Sequence, residues 1–305
     1  NSNPSLTKNI QKAIDFAYDR IYQLHSLQKF KNNTYSDKYK NKINYKYLPL
    51  ESVAIYVPGS TASYPSSVLM NGIPALCAGV KRIVMINPGY KGKQNPGVLY
   101  AAKKLKIKEI YYIGGPSAIA AVAYGTKKIK HVNKVIGPGN QYVSAAKKEV
   151  FGDIGIEGMT AGPSEVTIVA DKTSNPEWIA SDLIGQAEHD VLAQCILISK
   201  DKKILELTRK EIFKQLKLIP RSSIAKKSLM TNGILLNVSS DKKIIEIINK
   251  LGPEHLEISI KNYKPLVSKI KNAGSVCLGK YGVMAMTDYG VPGTNNVLPT
   301  NSTSK

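Results

Sequence analysis

The stretch Asp182-Leu-Ile-Gly-Gln186-Ala-Glu-His189 holds the residue types best suited to chemistry, and Asn175-Pro176 upstream predicts that it closes a helix. At about 100° per residue, Asp182, Gln186 and His189 share one narrow face. Ile179, Leu183 and Ala187 form the adjoining apolar stripe, and Glu188 is expected to point to water. An amide oxygen and an imidazole nitrogen at the edge of a buried seam can meet at one point, as two adjacent ligand positions for a metal ion. The same pattern also suits a hydrogen-bonded histidine at a helix end.

Gly252-Pro-Glu254-His255 sets a carboxylate beside an imidazole where a helix gives way to a strand. Such a pair can act as two separately tuned proton carriers, or simply decorate a surface. The stretch 287–300 reads as a long structured loop whose only acid is Asp288, a carboxylate that can join Gln186 and His189 on a divalent metal. Ser164, in Gly162-Pro-Ser-Glu165, can donate to a ligand or cap a turn. Glycine turns occur at Tyr56-Val-Pro-Gly-Ser60, Ile113-Gly-Gly115 and Ile136-Gly-Pro-Gly-Asn140. The last runs into a helix whose free N–H groups can hold a phosphate or carboxylate. None has GxGxxG spacing, so each serves equally well as a tight connection.

Positioning these groups requires a scaffold. Helical periodicity over 5–29 predicts a long amphipathic helix, and the polar stretch 32–46 reads as a loop or connector. Strands are expected at 53–57, 82–86, 109–113, 134–136, 165–170, 195–199, 234–238, 256–260 and 275–278. Helices are expected between them at 66–79, 98–105, 118–124, 142–150, 201–216, 241–250 and 263–272. Short β-branched strands alternating with helices imply parallel sheets covered on both faces, and so many strands imply two such sheets. In open sheets of this kind ligands bind beyond the carboxyl ends of the strands, so the turns after each strand are the expected site.

At 305 residues the chain can bury roughly three quarters of its unfolded surface. Lack of a long apolar run or signal peptide predicts a soluble, intracellular protein, and the absence of an initiator Met suggests a preceding part. Cys77, Cys195 and Cys277 are single and set in apolar runs, as small hydrophobes of a reducing compartment are. The net charge of +21 is carried almost wholly by Lys, with Arg only at Arg20, Arg82, Arg209 and Arg221. Base readout favours Arg, so a solvated surface explains the charge better than a nucleic-acid footprint does.

Taken together the motifs resemble the histidinol dehydrogenase family. Tyr56-Val-Pro-Gly59, Ile136-Gly-Pro-Gly-Asn-Gln-Tyr-Val143, Gly158-Met-Thr-Ala-Gly-Pro-Ser-Glu-Val166, Gln186-Ala-Glu-His189, Gly252-Pro-Glu-His-Leu256 and Asp288-Tyr with Val297-Leu-Pro-Thr300 stand in the family's order and span practically the whole chain. The resemblance implies zinc-dependent, NAD-linked oxidation of L-histidinol through L-histidinal to L-histidine, by a cytoplasmic homodimer with neither nucleic-acid nor membrane partners. It implies Gln186, His189 and Asp288 as zinc ligands that also meet substrate, His255 as general base, and Glu254 as activator of the water for the second oxidation. It further implies Ser164 and Asn296 at the substrate, and Tyr56, Ser117 and Asn140 at NAD. Alcohol oxidation asks for a base of near-neutral pKa, which suits His.

The sequence departs from the family at several points. Asn296 stands where the family has a histidine, Ser117 where it has a glutamine, and Ser60 where it has a second glycine. The chain also stops at Lys305, before the family's swapped segment with its last zinc-ligating His and a substrate-binding Glu. The expected architecture is α/β, with two doubly wound, Rossmann-like parallel-sheet units and an N-terminal helical segment. The expected divisions are 1–55, packing with the second unit, 56–165 on the NAD side, and 166–305 with the metal and catalytic residues. Two other functions fit the same residues: an inactive relic of this fold, and a basic nucleic-acid- or partner-binding protein.

Overall fold

Runs of aliphatic residues too short for helices alternate with amphipathic segments that open on Thr, Asn, Asp or Ser, and this rhythm builds the whole molecule. A computed structural model describes residues 6–59, 63–89, 92–157 and 164–285. The chain opens with α1 (Lys8–Leu27), capped by the Thr7 hydroxyl accepting the Ile10 N–H. A hairpin of β1 (Asn33–Ser36) and β2 (Lys42–Tyr45) follows, antiparallel and exposed at every position. The stretch expected as a loop or connector thus pairs with itself along the backbone, and its Thr34, Tyr35 and Tyr45 are residue types that suit a strand.

The first α/β run comprises β3 (Ser52–Tyr56), α2 (Pro65–Cys77), β4 (Arg82–Ile86), α3 (Pro96–Lys104), β5 (Glu109–Tyr111), α4 (Gly115–Tyr124), β6 (Lys134–Ile136), α5 (Gln141–Glu149) and β7 (Gly155–Ile156). The second comprises β8 (Glu165–Ala170), α6 (Pro176–Ala187), β9 (Gln194–Ser199), α7 (Lys202–Gln215), α8 (Ser222–Asn232), β10 (Ile234–Asn237), α9 (Asp241–Leu251), β11 (His255–Ser259), α10 (Lys264–Val267) and β12 (Ser275–Leu278). Each run forms its own five-stranded parallel sheet, in the orders β5-β4-β3-β6-β7 and β10-β9-β8-β11-β12. Numbered within its unit, each sheet therefore reads 3-2-1-4-5.

Alternation along the strands sends side chains into a core on either face. In the first sheet, Val53, Ile55 and Val57 meet α1, α2 and α3, whereas Ala54, Tyr56 and Val84 meet α4 and α5. In the second, Val166, Ile168 and Ala170 meet α6, α7 and α8, whereas Val169, Leu256 and Ile258 meet α9 and α10. Among the described residues, no helix is long and apolar enough to cross a membrane.

Three features differ from the sequence reading. First, α1 packs in the first unit: Ile14, Ala17 and Ile21 join the core with Val68 and Val98, and Asp15 pairs with Lys104 at 2.7 Å. The expected division at residue 56 cuts through β3, and Ser164 and Glu165 fall in the second unit. Second, α8 lies in a stretch the periodicity left unassigned, and buries only Ala225 and Ser228. Third, the helix expected over 263–272 shrinks to α10, because Asn249 of α9 captures the following chain through the Lys271 and Asn272 N–H groups.

Ile21 is 1% exposed, so Ile21→Ala is expected to cost about 2–5 kcal/mol in urea unfolding. Hydrogen exchange is expected to accelerate in β3 and β4 and not in β8 and β9; the reverse pattern assigns α1 to the other unit.

Candidate active site

In the second unit Ser164, Gln186, His189, Glu254 and His255 gather at the amino edge of the sheet. Chain direction explains this. β8 begins at Glu165 and β11 at His255, while α6 runs back across the sheet and ends at Ala187, before β9 starts at Gln194. The expectation of a site beyond the carboxyl ends fails here, and at that edge the Ser174 hydroxyl instead donates to the Ser259 carbonyl.

The register pairs His255 with Val166, placing Glu254 beside the first residue of β8. One Glu254 oxygen accepts the Glu165 N–H at 3.1 Å, and the other stands 3.6 Å from His255 Nε2. That second distance is long for a hydrogen bond but close for electrostatics. Glu254 is 7% exposed, so the pair is built into the protein and is not surface decoration. Ser164 is half-buried beside them, its carbonyl accepting the Gln194 N–H.

His255 Nδ1 is buried with no partner among the described residues. Burial, and then the nearby His189, push the His255 pKa down to about 4. His189 keeps an exposed surface, yet desolvation by the protein around its ring, and then the Arg221 guanidinium, lower it as well, with Asp190 and Glu188 opposing. Both imidazoles are therefore neutral at pH 7 and hold a lone pair free for a proton or a metal.

The helix face drawn from the sequence is only partly kept. α6 stops at Ala187 with Glu188 as its C-cap, so His189 lies beyond the helix, its N–H donating to the Gln186 carbonyl at 3.2 Å. Glu188 is half-buried, not turned to water. Gln186 stays helical and 2% exposed, and its Oε1 has no partner among the described residues. A buried amide oxygen without a donor costs about 1–3 kcal/mol, and a cation would offset that cost. Such an oxygen is open to a hydrogen-bond donor or to a cation. Among the described residues, no three His, Cys, Asp or Glu side chains cluster to hold a metal. Asp288 and Asn296 lie outside the described residues.

Arg221 was not legible as a site residue. It stands just before α8 and donates to the His189 carbonyl at 3.4 Å. The available signal was an Arg in a chain that otherwise uses Lys. Cys195 donates to the Leu183 carbonyl, and burial pushes its thiol up to about 12, so it is no nucleophile.

In the first unit the strand order switches direction between β3 and β6, and at the carboxyl edge Tyr56 ends β3 while the turn after β6 carries Asn140. Tyr56 is buried, and its hydroxyl accepts the Gly115 N–H at 3.1 Å. Asn140 caps α5 through the Val143 N–H at 3.0 Å, and Ser117 is exposed on the first turn of α4. Gly137 has φ +103°, and a Cβ there would collide with the Tyr56 carbonyl, so the two turns touch backbone to backbone. Below them Lys147 is fully buried, donating to the Gly137 and Glu157 carbonyls, and burial lowers its pKa to about 8. Val143, Lys147 and Val150 follow core spacing, and a lysine at such a position was the signal for this buried prop.

All 305 residues, 1–305, match the sequence model of the histidinol dehydrogenase family. The histidinol dehydrogenase of Pelagibacter ubique (strain HTCC1062) is 75% identical over 301 residues, which is 99% of this chain and 70% of that protein. That of Listeria monocytogenes serovar 1/2a (strain ATCC BAA-679 / EGD-e) is 49% identical over 96% of this chain and 68% of its own. The crystal structure of histidinol dehydrogenase from Elizabethkingia anophelis superposes with a TM-score of 0.93 at 40% identity, covering 98% of this chain and 69% of that one.

The lowered His255 pKa fixes the sign of a pH effect. Unfolded His takes up a proton near its usual value of 6.5, whereas folded His255 does so only near 4. Its contribution is full above pH 6.5, falls as pH drops toward 4, and levels off below. Metal-free chain is expected to lose about 3 kcal/mol more than His255→Gln across that window, measured by urea unfolding. Equal losses in the two proteins mean an ordinary, solvated imidazole.

Proposed function

Because the chain belongs to the histidinol dehydrogenase family, oxidoreductases of histidine biosynthesis, we propose that it oxidises L-histidinol through L-histidinal to L-histidine with zinc and NAD. The observation that carries this reading is the buried Gln186 Oε1, without a partner among the described residues, on the same sheet edge as His189 and the Glu254–His255 couple. Gln186 and His189, with Asp288, would hold zinc. Bound zinc supplies an anchor for the substrate's imidazole and amino groups, and bound NAD supplies the hydride acceptor.

The chain's own groups then have distinct tasks. His255 takes the alcohol proton as hydride leaves C–H. Its pKa near 4 makes it a weaker base than the near-neutral one expected from sequence. Burial and His189 are the cause, and the Glu254 carboxylate 3.6 Å away supports the imidazolium once it forms. Glu254 deprotonates the water that adds to the aldehyde, with its far oxygen steadied by the Glu165 N–H. Ser164 and Asn296 orient substrate.

In the first unit Tyr56, Ser117 and Asn140 line the nucleotide. Support comes from the switch in strand order at β3 and β6 and from the N-terminus of α5 at that point. The family resemblance also carries a homodimer in the cytoplasm. The wholly exposed β1–β2 hairpin is marginal by itself and is a surface that a second copy would cover.

The test is NADH formation from histidinol by zinc-loaded chain. His255→Asn is expected to lower kcat by about 10²–10⁴-fold while zinc content is kept, and Gln186→Ala is expected to lower zinc content itself. Folded, zinc-loaded chain that makes no NADH is instead the relic. An unsubstituted chain that binds no zinc removes the reading.

A further inference from the structure

α8 buries too little apolar surface to account for its place in the fold. Ala225 is its one fully buried apolar side chain, and Leu229 is partly buried against the same core. What docks the helix is polar. Arg221, Ala225, Ser228 and Asn232 follow one another at intervals of four, three and four residues, which sets them within about 60° of arc around the axis. Three of the four donate hydrogen bonds. Ser228 Oγ donates to the Ala193 carbonyl at 2.8 Å, Asn232 Nδ2 to the Val191 carbonyl at 3.3 Å, and Arg221 Nη2 to the His189 carbonyl at 3.4 Å. All three acceptors lie in the segment that joins α6 to β9.

That segment needs donors from outside. It is neither helix nor strand, so its carbonyls have no ladder to join. Its amides are satisfied close by: the His189 N–H donates to the Gln186 carbonyl, the Leu192 N–H to Asp190 Oδ1 at 2.8 Å, and the Ala193 N–H to the Asp190 carbonyl at 3.1 Å. The carbonyls of every second residue, 189, 191 and 193, are the ones α8 takes. Ala193 and Ser228 are both fully buried, so theirs is the bond whose loss costs most. α6 itself is held from elsewhere. Trp178 packs against Tyr281 with ring centroids 5.4 Å apart, and Gln215 of α7 donates to the Glu177 carbonyl at 2.9 Å. His189 stands beyond the last residue of α6, so helix geometry does not fix it.

We propose that α8 is a polar clamp on the α6–β9 segment, and that Arg221, Ser228 and Asn232 are positioning residues that hold His189 on the sheet edge with Gln186 and His255. They act through the backbone of residues 189–193 and take no part in the chemistry themselves. The step from the clamp to a metal ligand rests on the zinc reading; the clamp itself does not.

The test uses the full chain. In Ser228→Ala/Asn232→Ala the Leu192 and Ala193 amides are expected to exchange about tenfold faster or more by NMR, while amides within β8 keep their rates. Equal acceleration in β8 means a general loss of stability and overturns a local clamp. Zinc dissociation constants from chelator competition are expected to rise about tenfold in the same double variant, and hardly at all when the two changes are made in His189→Ala. An equal zinc loss in both backgrounds marks a merely structural helix and overturns the positioning of His189. Leu192 and Ala193 amides that exchange at the unprotected rate in the unsubstituted chain overturn the clamp, even where the double variant fails to fold. Absence of zinc binding by the unsubstituted chain sinks the metal reading and the His189 step with it, while protection at Leu192 and Ala193 independently decides the clamp.

Discussion

The pairing of β11 with β8 is the constraint on which the second unit depends. With His255 opposite Val166, every odd residue of β11 from 255 to 259 faces α6 and every even one faces α9. A slip of one residue would send Leu256 and Ile258 toward α6 and bury His255 and Glu257 in the apolar core beneath α9. The same register brings Glu254 to the Glu165 N–H. One backbone ladder thus sets His255, its carboxylate neighbour Glu254 and the buried Glu257 together.

What the sheet edge lacks is solvent. His255, Glu254, Gln186 and Glu257 are all largely withdrawn from water, and the described surroundings offer them few opposite charges. Burial is accordingly the first cause of each resolved shift among them, favouring neutral imidazole at His255 and neutral carboxyl at Glu257. Gln186 Oε1 and His255 Nδ1 also have no hydrogen-bond partner among the described residues. Unpartnered atoms of this kind also occur elsewhere among the described residues, at Gln94 and Thr208, so what distinguishes this edge is that they stand beside buried titratable groups.

Much of this was legible in the sequence. Strands 82–86, 134–136, 165–170 and 275–278 were bounded to the residue, because β-branched runs flanked by Gly, Pro and Asn leave little choice. The helix starts expected near Asn175 and at Asp201 fall on the residues that cap α6 and α7. The misses have physical causes. α8 is polar almost all round, so periodicity was silent, and Arg221 went unseen with it. The edge of the sheet that carries the site depends on where α6 ends and on the strand register, which are tertiary facts. The hydrogen bond between Asp182 of α6 and Glu257 of β11 joins residues far apart in the chain, and no local pattern could pair them. Two sheets of identical strand order even place their candidate groups at opposite rims, the carboxyl rim in the first unit and the amino rim in the second.

Trp178 is the chain's one tryptophan, and it rests on Tyr281 where the polypeptide leaves the last strand. The indole emission of this protein therefore originates from a single, known spot. A spectral change on heating, acidification or addition of a small molecule therefore reports on the contact of Tyr281 with α6, so the molecule carries its own optical gauge of the place where the chain leaves its last described strand, with no dye or label attached.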